Sequence, residues 1–214
     1  NDGCGSTHLE ALTAFMKKHR CQLGVAFDGD ADRCLAIDEE GNQVDGDKML
    51  AIFSKYMKEK GKLHNDTVVV TVMSNLGFFH FANHEQVHAI AANVGDRYVL
   101  EEMLKGDYNL GGEQSGHIIF TDYATTGDGQ LSAIQLMSIV RDYGKKLSSI
   151  GSVMERFPQV MVNIRADAQG KRLLEENETI VQAIEKAKAE LADNGRILVR
   201  ASGTEPLIRV MVEG

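Results

Sequence analysis

Three carboxylates separated by single small residues, Asp28, Asp30 and Asp32, stand in the run Phe27-Asp28-Gly29-Asp30-Ala31-Asp32-Arg33. Apolar runs flank them, Leu23 to Phe27 and Cys34 to Ile37, each too short for a helix and suited to a buried strand. The triplet therefore falls in a tight turn at a strand end, where alternate side chains can converge on one point. Converging carboxylates raise one another's pKa unless a cation sits between them. An acidic all-oxygen set suits Mg²⁺ or Ca²⁺, and Mg²⁺ leaves room for a phosphate oxygen. Arg33, a cation beside three anions, implies a further anion such as phosphate. Two other readings stay open. One is a solvated acidic turn with Gly29 supplying backbone freedom. The other is an EF-hand loop with Asp28, Asp30 and Asp32 at its first, third and fifth positions and Glu39 at its twelfth; its sixth position, which needs Gly, is Arg33.

Three further loops carry reactive side chains. Arg200-Ala201-Ser202-Gly203-Thr204-Glu205-Pro206 offers two hydroxyls, a Gly open to close approach and Arg200 at its mouth, with Arg209 on the strand beyond. Guanidinium forks and loop N–H groups suit phosphate oxygens, although the same residues also make an ordinary hairpin. Gly112-Glu113-Gln114-Ser115-Gly116-His117 opens a strand, and extended alternation would turn Glu113, Ser115 and His117 one way. That trio could bind vicinal hydroxyls of a sugar, with His117 moving a proton; the plainer reading is a Gly-rich turn with His117 in the core. Gly95-Asp96-Arg97 marks a strand-to-helix junction, either an anion contact through the helix N-terminus and Arg97 or a helix capped by Asp96.

The elements that must position these loops follow from periodicity. Leu9, Leu12, Phe15 and Met16 have helical spacing; Asp47 is a credible N-cap for a helix to about Lys60. From Thr67 onward strands and helices alternate, and the unbroken Val-rich run Thr67 to Met73 predicts a strand buried on both faces of a parallel sheet. Helices follow over Leu76 to His84, from Gly95 to about Lys105, and from Thr126 to about Tyr143, with strands at Val87 to Ala92 and His117 to Phe120. Lys145 to Ser152 reads as a linker. Beyond it a strand at Val160 to Ile164, one long helix over Lys171 to Leu191, and strands Ile197 to Arg200 and Leu207 to Val212 predict a small α+β unit.

The chain has 214 residues, 43% hydrophobic and 25% charged, the composition of an ordinary globular protein. A net charge of −8 without a Lys/Arg block argues against nonspecific nucleic-acid binding. Three unpaired-looking cysteines, Cys4, Cys21 and Cys34, fit a reducing compartment, and no apolar run reaches the length of a membrane span. A cytoplasmic protein with no membrane association is the expectation. The start at Asn1 and the end directly after a strand suggest a piece of a longer polypeptide.

The four loops in this order resemble the α-D-phosphohexomutase superfamily, and within it the bacterial phosphoglucosamine mutase branch. Asn1-Asp2-Gly3-Cys4-Gly5-Ser6 is also similar to the end of that family's second domain. The resemblance implies residues 1–43 as the end of domain 2, 44–150 as a mainly parallel α/β domain 3, and 151–214 as a truncated α+β domain 4. It implies interconversion of glucosamine 6-phosphate and glucosamine 1-phosphate through a bisphosphate, feeding UDP-N-acetylglucosamine and cell-wall synthesis. By the same likeness Asp28, Asp30 and Asp32 would hold Mg²⁺ and Arg33 would contact an active-site phosphoserine. Glu113 and Ser115 would bind sugar hydroxyls, and Gly95, Asp96 and Arg97 would also bind the substrate. His117 would assist proton transfer, and Arg200, Ser202, Gly203, Thr204 and Arg209 would clamp the distal phosphate. Gln114 and Gly203 resemble the glucosamine branch.

The family's Thr-Ala-Ser-His-Asn phosphoserine loop is absent from the chain, so missing N-terminal domains would supply it, and the 214-residue chain is expected to be inactive alone. A homodimer of the full-length protein is a further expectation of the resemblance. Another phosphohexomutase, acting on mannose or glucose phosphates, and a non-catalytic Ca²⁺- or sugar-phosphate-binding module are the alternatives.

Overall fold

The computed structural model describes residues 3–192, 195–203 and 205–214. The chain forms two compact units, Asn1–Glu155 and Arg156–Gly214.

The first unit opens with α1 (Glu10–His19) and an antiparallel sheet of β1 (Leu23–Phe27), β2 (Cys34–Asp38) and β3 (Gln43–Val44), in that order. Phe27 pairs with Cys34, so residues 28–33 form the connecting loop. Every residue of β2 is buried. Asp38 closes the next hairpin, its Oδ1 accepting the N–H groups of Glu40 and Asn42 at 2.9 and 2.8 Å.

Helix α2 (Gly46–Glu59) is capped by Asp45, whose Oδ1 accepts the Lys48 N–H at 3.0 Å. The sequence pointed to Asp47 as the cap. The cap instead lies two residues earlier, because the chain must turn at Gly46, where a Cβ would stand 2.1 Å from the Glu113 carbonyl oxygen. Asp47 is thereby drawn inside and fully buried.

The central sheet has the order β5-β4-β6-β7, with β4 (Thr67–Thr71) parallel to β5 (His88–Ala92) and β6 (Leu110–Gly112), and β7 (Ile118–Phe120) antiparallel at the edge. Val68 and Val70 of β4 join the larger core with Phe53 of α2, Phe78 of α3 (Leu76–His84) and Leu136 of α5 (Gly129–Tyr143). Val69 faces the opposite side, against Val99 and Met103 of α4 (Asp96–Gly106). Helices on both faces of a mainly parallel sheet explain the unbroken Val run. Strand β6 was read as a loop because two of its three residues are Gly. Gly111 is needed there, since a Cβ would lie 2.5 Å from the Met103 sulfur and 3.0 Å from the Val69 carbonyl oxygen.

The expected linker at Lys145 to Ser152 holds helix α6 (Leu147–Gly151) instead. Its Leu147 and Ile150 are buried in the larger core, and burying them outweighs the loop-like Ser and Gly composition.

The second unit is an antiparallel sheet of order β8-β10-β9, built from β8 (Gln159–Arg165), β9 (Arg196–Ala201) and β10 (Leu207–Glu213). Two helices, α7 (Ala168–Glu176) and α8 (Glu178–Leu191), replace the single one anticipated from Lys171 to Leu191. Asn177 breaks it. Its extended backbone (ψ 108°) ends α7, and its Oδ1 accepts the N–H groups of Thr179 and Ile180, which starts α8. No helix among the described residues is long and apolar enough to cross a membrane.

Candidate functional site

The β1–β2 pairing leaves a six-residue loop in which oxygen atoms of Asp28, Asp30 and Asp32 come within 4.8 Å of one another. Asp28 holds the loop closed, its Oδ1 accepting the Arg33 N–H at 3.2 Å while the Arg33 guanidinium lies 3.7 Å from its other oxygen. The left-handed residue in the turn is Ala31 (φ 60°), rather than Gly29 as the solvated-turn reading supposed. The Ala31 carbonyl accepts the N–H of Gly129 at 2.9 Å, which seats the loop on the N-terminus of α5. Gly129 is required, because a Cβ would lie 2.6 Å from the Arg33 carbonyl oxygen. Burial first, and then the neighbouring Asp28, push the Asp32 carboxyl above its usual range. Glu39 takes no part in this loop; its carboxylate accepts the Ser148 N–H and hydroxyl, which removes the EF-hand arrangement.

The second loop docks directly on the first. Cys34 N–H donates to the Gly116 carbonyl at 3.1 Å, and Arg33 and His117 form an isolated antiparallel bridge. His117 is buried; its Nδ1 lies 2.9 Å from Asp32 Oδ2, and the Gly127 N–H donates to its Nε2 at 3.1 Å. Since Nε2 accepts, the proton sits on Nδ1 and is donated to Asp32. Both ring nitrogens are thus hydrogen-bonded within the chain. The one-sided alternation of Glu113, Ser115 and His117 fails, because Gly116 (φ 92°) makes a turn whose N–H donates to the Glu113 carbonyl at 3.0 Å. Ser115 is exposed, whereas His117 points inward.

Glu113 reaches the β5–α4 junction, its Oε1 accepting the Gly95 N–H at 3.0 Å. Gly95 (φ 130°) is the N-cap residue of α4, so Asp96 is not the cap and receives only the Arg97 N–H. Arg97 pairs with Glu101 at 2.8 Å on the exposed helix surface. The first unit thus places Gly95 after β5 and Glu113 and Ser115 after β6, at the C-terminal ends of strands parallel to β4, and the loop of Asp28, Asp30, Asp32 and Arg33 from the antiparallel β1–β2 hairpin docks on the second of these. In open α/β sheets that edge is where ligands bind.

The second unit carries the remaining candidates. Arg200 and Arg209 stand directly opposite each other on β9 and β10. Among the described residues, their Nε atoms are buried with no hydrogen-bond partner. Burial and the nearby Arg209 hold the Arg200 guanidinium below its ordinary pKa. Like charges directly opposite on paired strands are unfavourable unless an anion joins them. Glu205 meets part of the need by pairing with Arg209. The Ser202 hydroxyl accepts the Glu205 N–H at 3.2 Å, and the space beside Gly203 is open. Thr204 lies outside the described residues. Lys171, not singled out in the sequence, crosses from α7 to donate to the carbonyls of Ser202 and Glu205 at 2.5 and 2.6 Å. A lysine on an exposed-looking helix gives no local signal of such a role. Gly127 and Gly129 were likewise read only as a helix start.

The donor set of the 28–32 loop fits a hard divalent cation: three clustered carboxylates, one with its pKa raised by burial and then by its neighbour, and no amine or thiol ligand among them.

Residues 45–157 match the phosphoglucomutase/phosphomannomutase alpha/beta/alpha domain III, and residues 161–214 match the C-terminal domain of the same family. The chain is 54% identical over 214 residues to the phosphoglucosamine mutase of Brevibacillus brevis, covering all of this chain and 47% of that protein. It is 55% identical over 213 residues to the phosphoglucosamine mutase of Bacillus subtilis, again covering 47% of the relative. The chain therefore spans about half the length of these relatives. Two solved structures share the fold. The N-acetylphosphoglucosamine mutase of Aspergillus fumigatus, in complex with GlcNAc-6P and magnesium, has a TM-score of 0.75 at 19% identity, covering 99% of this chain and 49% of that one. A phosphoglucomutase/phosphomannomutase family protein of Burkholderia thailandensis has a TM-score of 0.78 at 19% identity, covering 98% and 47%. Profile matches over most of its length, with relatives above half identity along all of it, place the chain in the phosphoglucomutase/phosphomannomutase family of α-D-phosphohexomutases.

Proposed function

We propose that this chain supplies the metal loop, the sugar-hydroxyl loop and the distal-phosphate loop of a phosphoglucosamine mutase. That enzyme would interconvert glucosamine 6-phosphate and glucosamine 1-phosphate through a bisphosphorylated sugar, feeding cell-wall precursor synthesis. The phosphoryl-carrying serine would come from a part of the longer protein outside this chain, leaving the 214-residue chain inactive alone. The observation that carries the reading is the junction of the two loops, where the three-aspartate turn is tied through Asp32 and His117 to the strand that presents Glu113 and Ser115.

Asp28, Asp30 and Asp32 would hold Mg²⁺, which supplies Lewis-acid stabilisation of charge on a transferring phosphoryl group. Arg33 would meet the phosphate from the open side of the loop. Glu113, fixed by the Gly95 N–H, and the exposed Ser115 hydroxyl would accept and donate hydrogen bonds to sugar hydroxyls. His117, hydrogen-bonded through Nδ1 to Asp32, would orient that carboxylate and assist proton transfer. Arg200, Ser202, Gly203 and Arg209, with Thr204, would bind the phosphate that is not transferred. Guanidinium forks recognise phosphate without reading the ring, which suits an intermediate held in two orientations. The expected location is the cytoplasm.

A coupled assay on the full-length protein, comparing glucosamine, glucose and mannose 1-phosphates with and without Mg²⁺, tests the reading. A Mg²⁺-dependent preference for the amino sugar supports it. Preference for a neutral sugar would keep the loop roles and replace the substrate. Inactivity of the phosphorylated full-length protein on all three would refute an enzymatic role.

A further inference from the structure

Asp47 is the most deeply buried carboxyl in the neighbourhood of the site, and none of the roles above uses it. It lies in the first turn of α2, fully enclosed, where three segments meet. Its Oδ2 accepts the Asn75 N–H at 2.7 Å, which fixes the turn after β4, and Asn75 in turn caps α3 through the Gly77 N–H at 3.0 Å. One residue before it, the Gly46 N–H donates to the Gln114 carbonyl at 3.0 Å. The other Asp47 oxygen, Oδ1, and the Gln114 side-chain nitrogen are both buried, and neither has a hydrogen-bond partner among the described residues.

We propose that Asp47 is a positioning residue for the 113–116 turn, its carboxyl joining α2 and the 72–75 turn to Gln114 and so setting where Glu113 and Ser115 stand. What those two residues bind rests on the proposed function; the position of the turn does not. Gln114 then acts inward, and any influence it has on sugar choice is exerted through its neighbours Glu113 and Ser115.

The same enclosure makes the link sensitive to protonation. Burial first, and then Asp45, push the Asp47 carboxyl up to about 7, against the opposing pull of the Asn75 N–H, Ser74 and Gln114. The charged groups on the elements around it are Asp45 at the N-cap of α2, Lys48, Lys55, Lys58 and Glu59 on α2, Glu113 in the turn, His80 and His84 on α3, and Asp128, Arg141 and Asp142 at the start and in the last turns of α5. Asp45 is the charge that acts on it most, in the same direction as burial.

The test is an NMR titration of the 214-residue chain from acid to mildly alkaline pH, which needs neither sugar phosphate nor turnover. The expected result is an Asp47 carboxyl carbon that titrates near neutrality, with the amides of Asn75, Gln114, Ser115 and Gly116 moving at the same midpoint. In Asp47→Asn that component disappears. Gln114→Leu, which removes a donor facing the carboxyl, raises the Asp47 midpoint and serves if the Asn variant fails to fold. Turn amides that stay still while Asp47 titrates would overturn the proposal, as would amides that move unchanged in Asp47→Asn or an Asp47 midpoint indifferent to Gln114→Leu.

Discussion

His117 makes two bonds from two ends of one ring, and two conservative replacements separate them. The Nδ1 side donates to Asp32 at 2.9 Å; the Nε2 side accepts the Gly127 N–H at 3.1 Å. In His117→Asn the amide nitrogen falls near the Nδ1 position and can still donate to Asp32, but the Gly127 N–H loses its acceptor. In His117→Gln the longer side chain can place its carbonyl near the Nε2 position and keep the Gly127 bond, while Asp32 loses its donor. An orphaned buried N–H costs about 1–3 kcal/mol. Loss of a group that orients a metal ligand costs roughly 10–100-fold in metal affinity, or about 1.4–2.7 kcal/mol. The Asn variant should therefore be the less stable of the two in urea, with near-wild-type Mg²⁺ affinity by calorimetry. The Gln variant should keep its stability and lose metal affinity. If the Gln variant binds Mg²⁺ as the wild type does while the Asn variant does not, the assignment of the proton to Nδ1 is wrong. A His117 that did not orient Asp32 would instead leave metal affinity intact in both variants.

Other expectations follow from the same geometry. The folded-state pKa of Asp47 is raised to about 7 from 3.8, so its contribution is fully present below pH 4 and is lost as pH rises toward and through 7. Stability measured by urea denaturation should fall across that window by about 4 kcal/mol at most, and Asp47→Asn should flatten the dependence; an unchanged profile would refute the burial argument. Arg200 and Arg209 oppose each other across paired strands, so phosphate or sulfate at ten times its Kd should stabilise the second unit by about 1.4 kcal/mol. In Arg200→Met that response should vanish, and anion-free stability should rise by about 0.2–1 kcal/mol as the like-charge contact is relieved; a variant that still responds to sulfate would place the anion elsewhere. Lys171→Met removes the donor to two loop carbonyls, which should weaken phosphate binding several-fold and speed amide exchange in residues 201–203 with no effect on Mg²⁺ affinity. Unaltered exchange there would show that the loop holds its shape without α7.

The three-aspartate loop was the part most legible in the sequence. Three Asp residues alternating with small residues between two apolar runs define both the turn and its donor set, because that chemistry is local. The Val run at residues 67–71 likewise announced a strand covered on both faces, and the Gly-rich 112–117 stretch announced a turn. Periodicity read α1, α3 and α5 to within a few residues for the same reason. Elements decided by distant packing were misjudged: α6, whose Leu147 and Ile150 fill the core beneath a Ser-rich surface, and β6, whose glycines serve close approach to Met103 and Val69. The break at Asn177 was missed because helical composition continues on both sides of it, while one side chain capping Thr179 and Ile180 ends one helix and starts the next. The site divides along the same line. Residue types told which side chains could bind metal, hydroxyl or phosphate. The tertiary structure alone decided that His117 spends both nitrogens on Asp32 and Gly127, that Asp47 is enclosed rather than capping, and that Lys171 holds the 202–205 loop. Those bonds span from 10 to 85 residues of chain, and no local pattern encodes a partner that only the fold brings near.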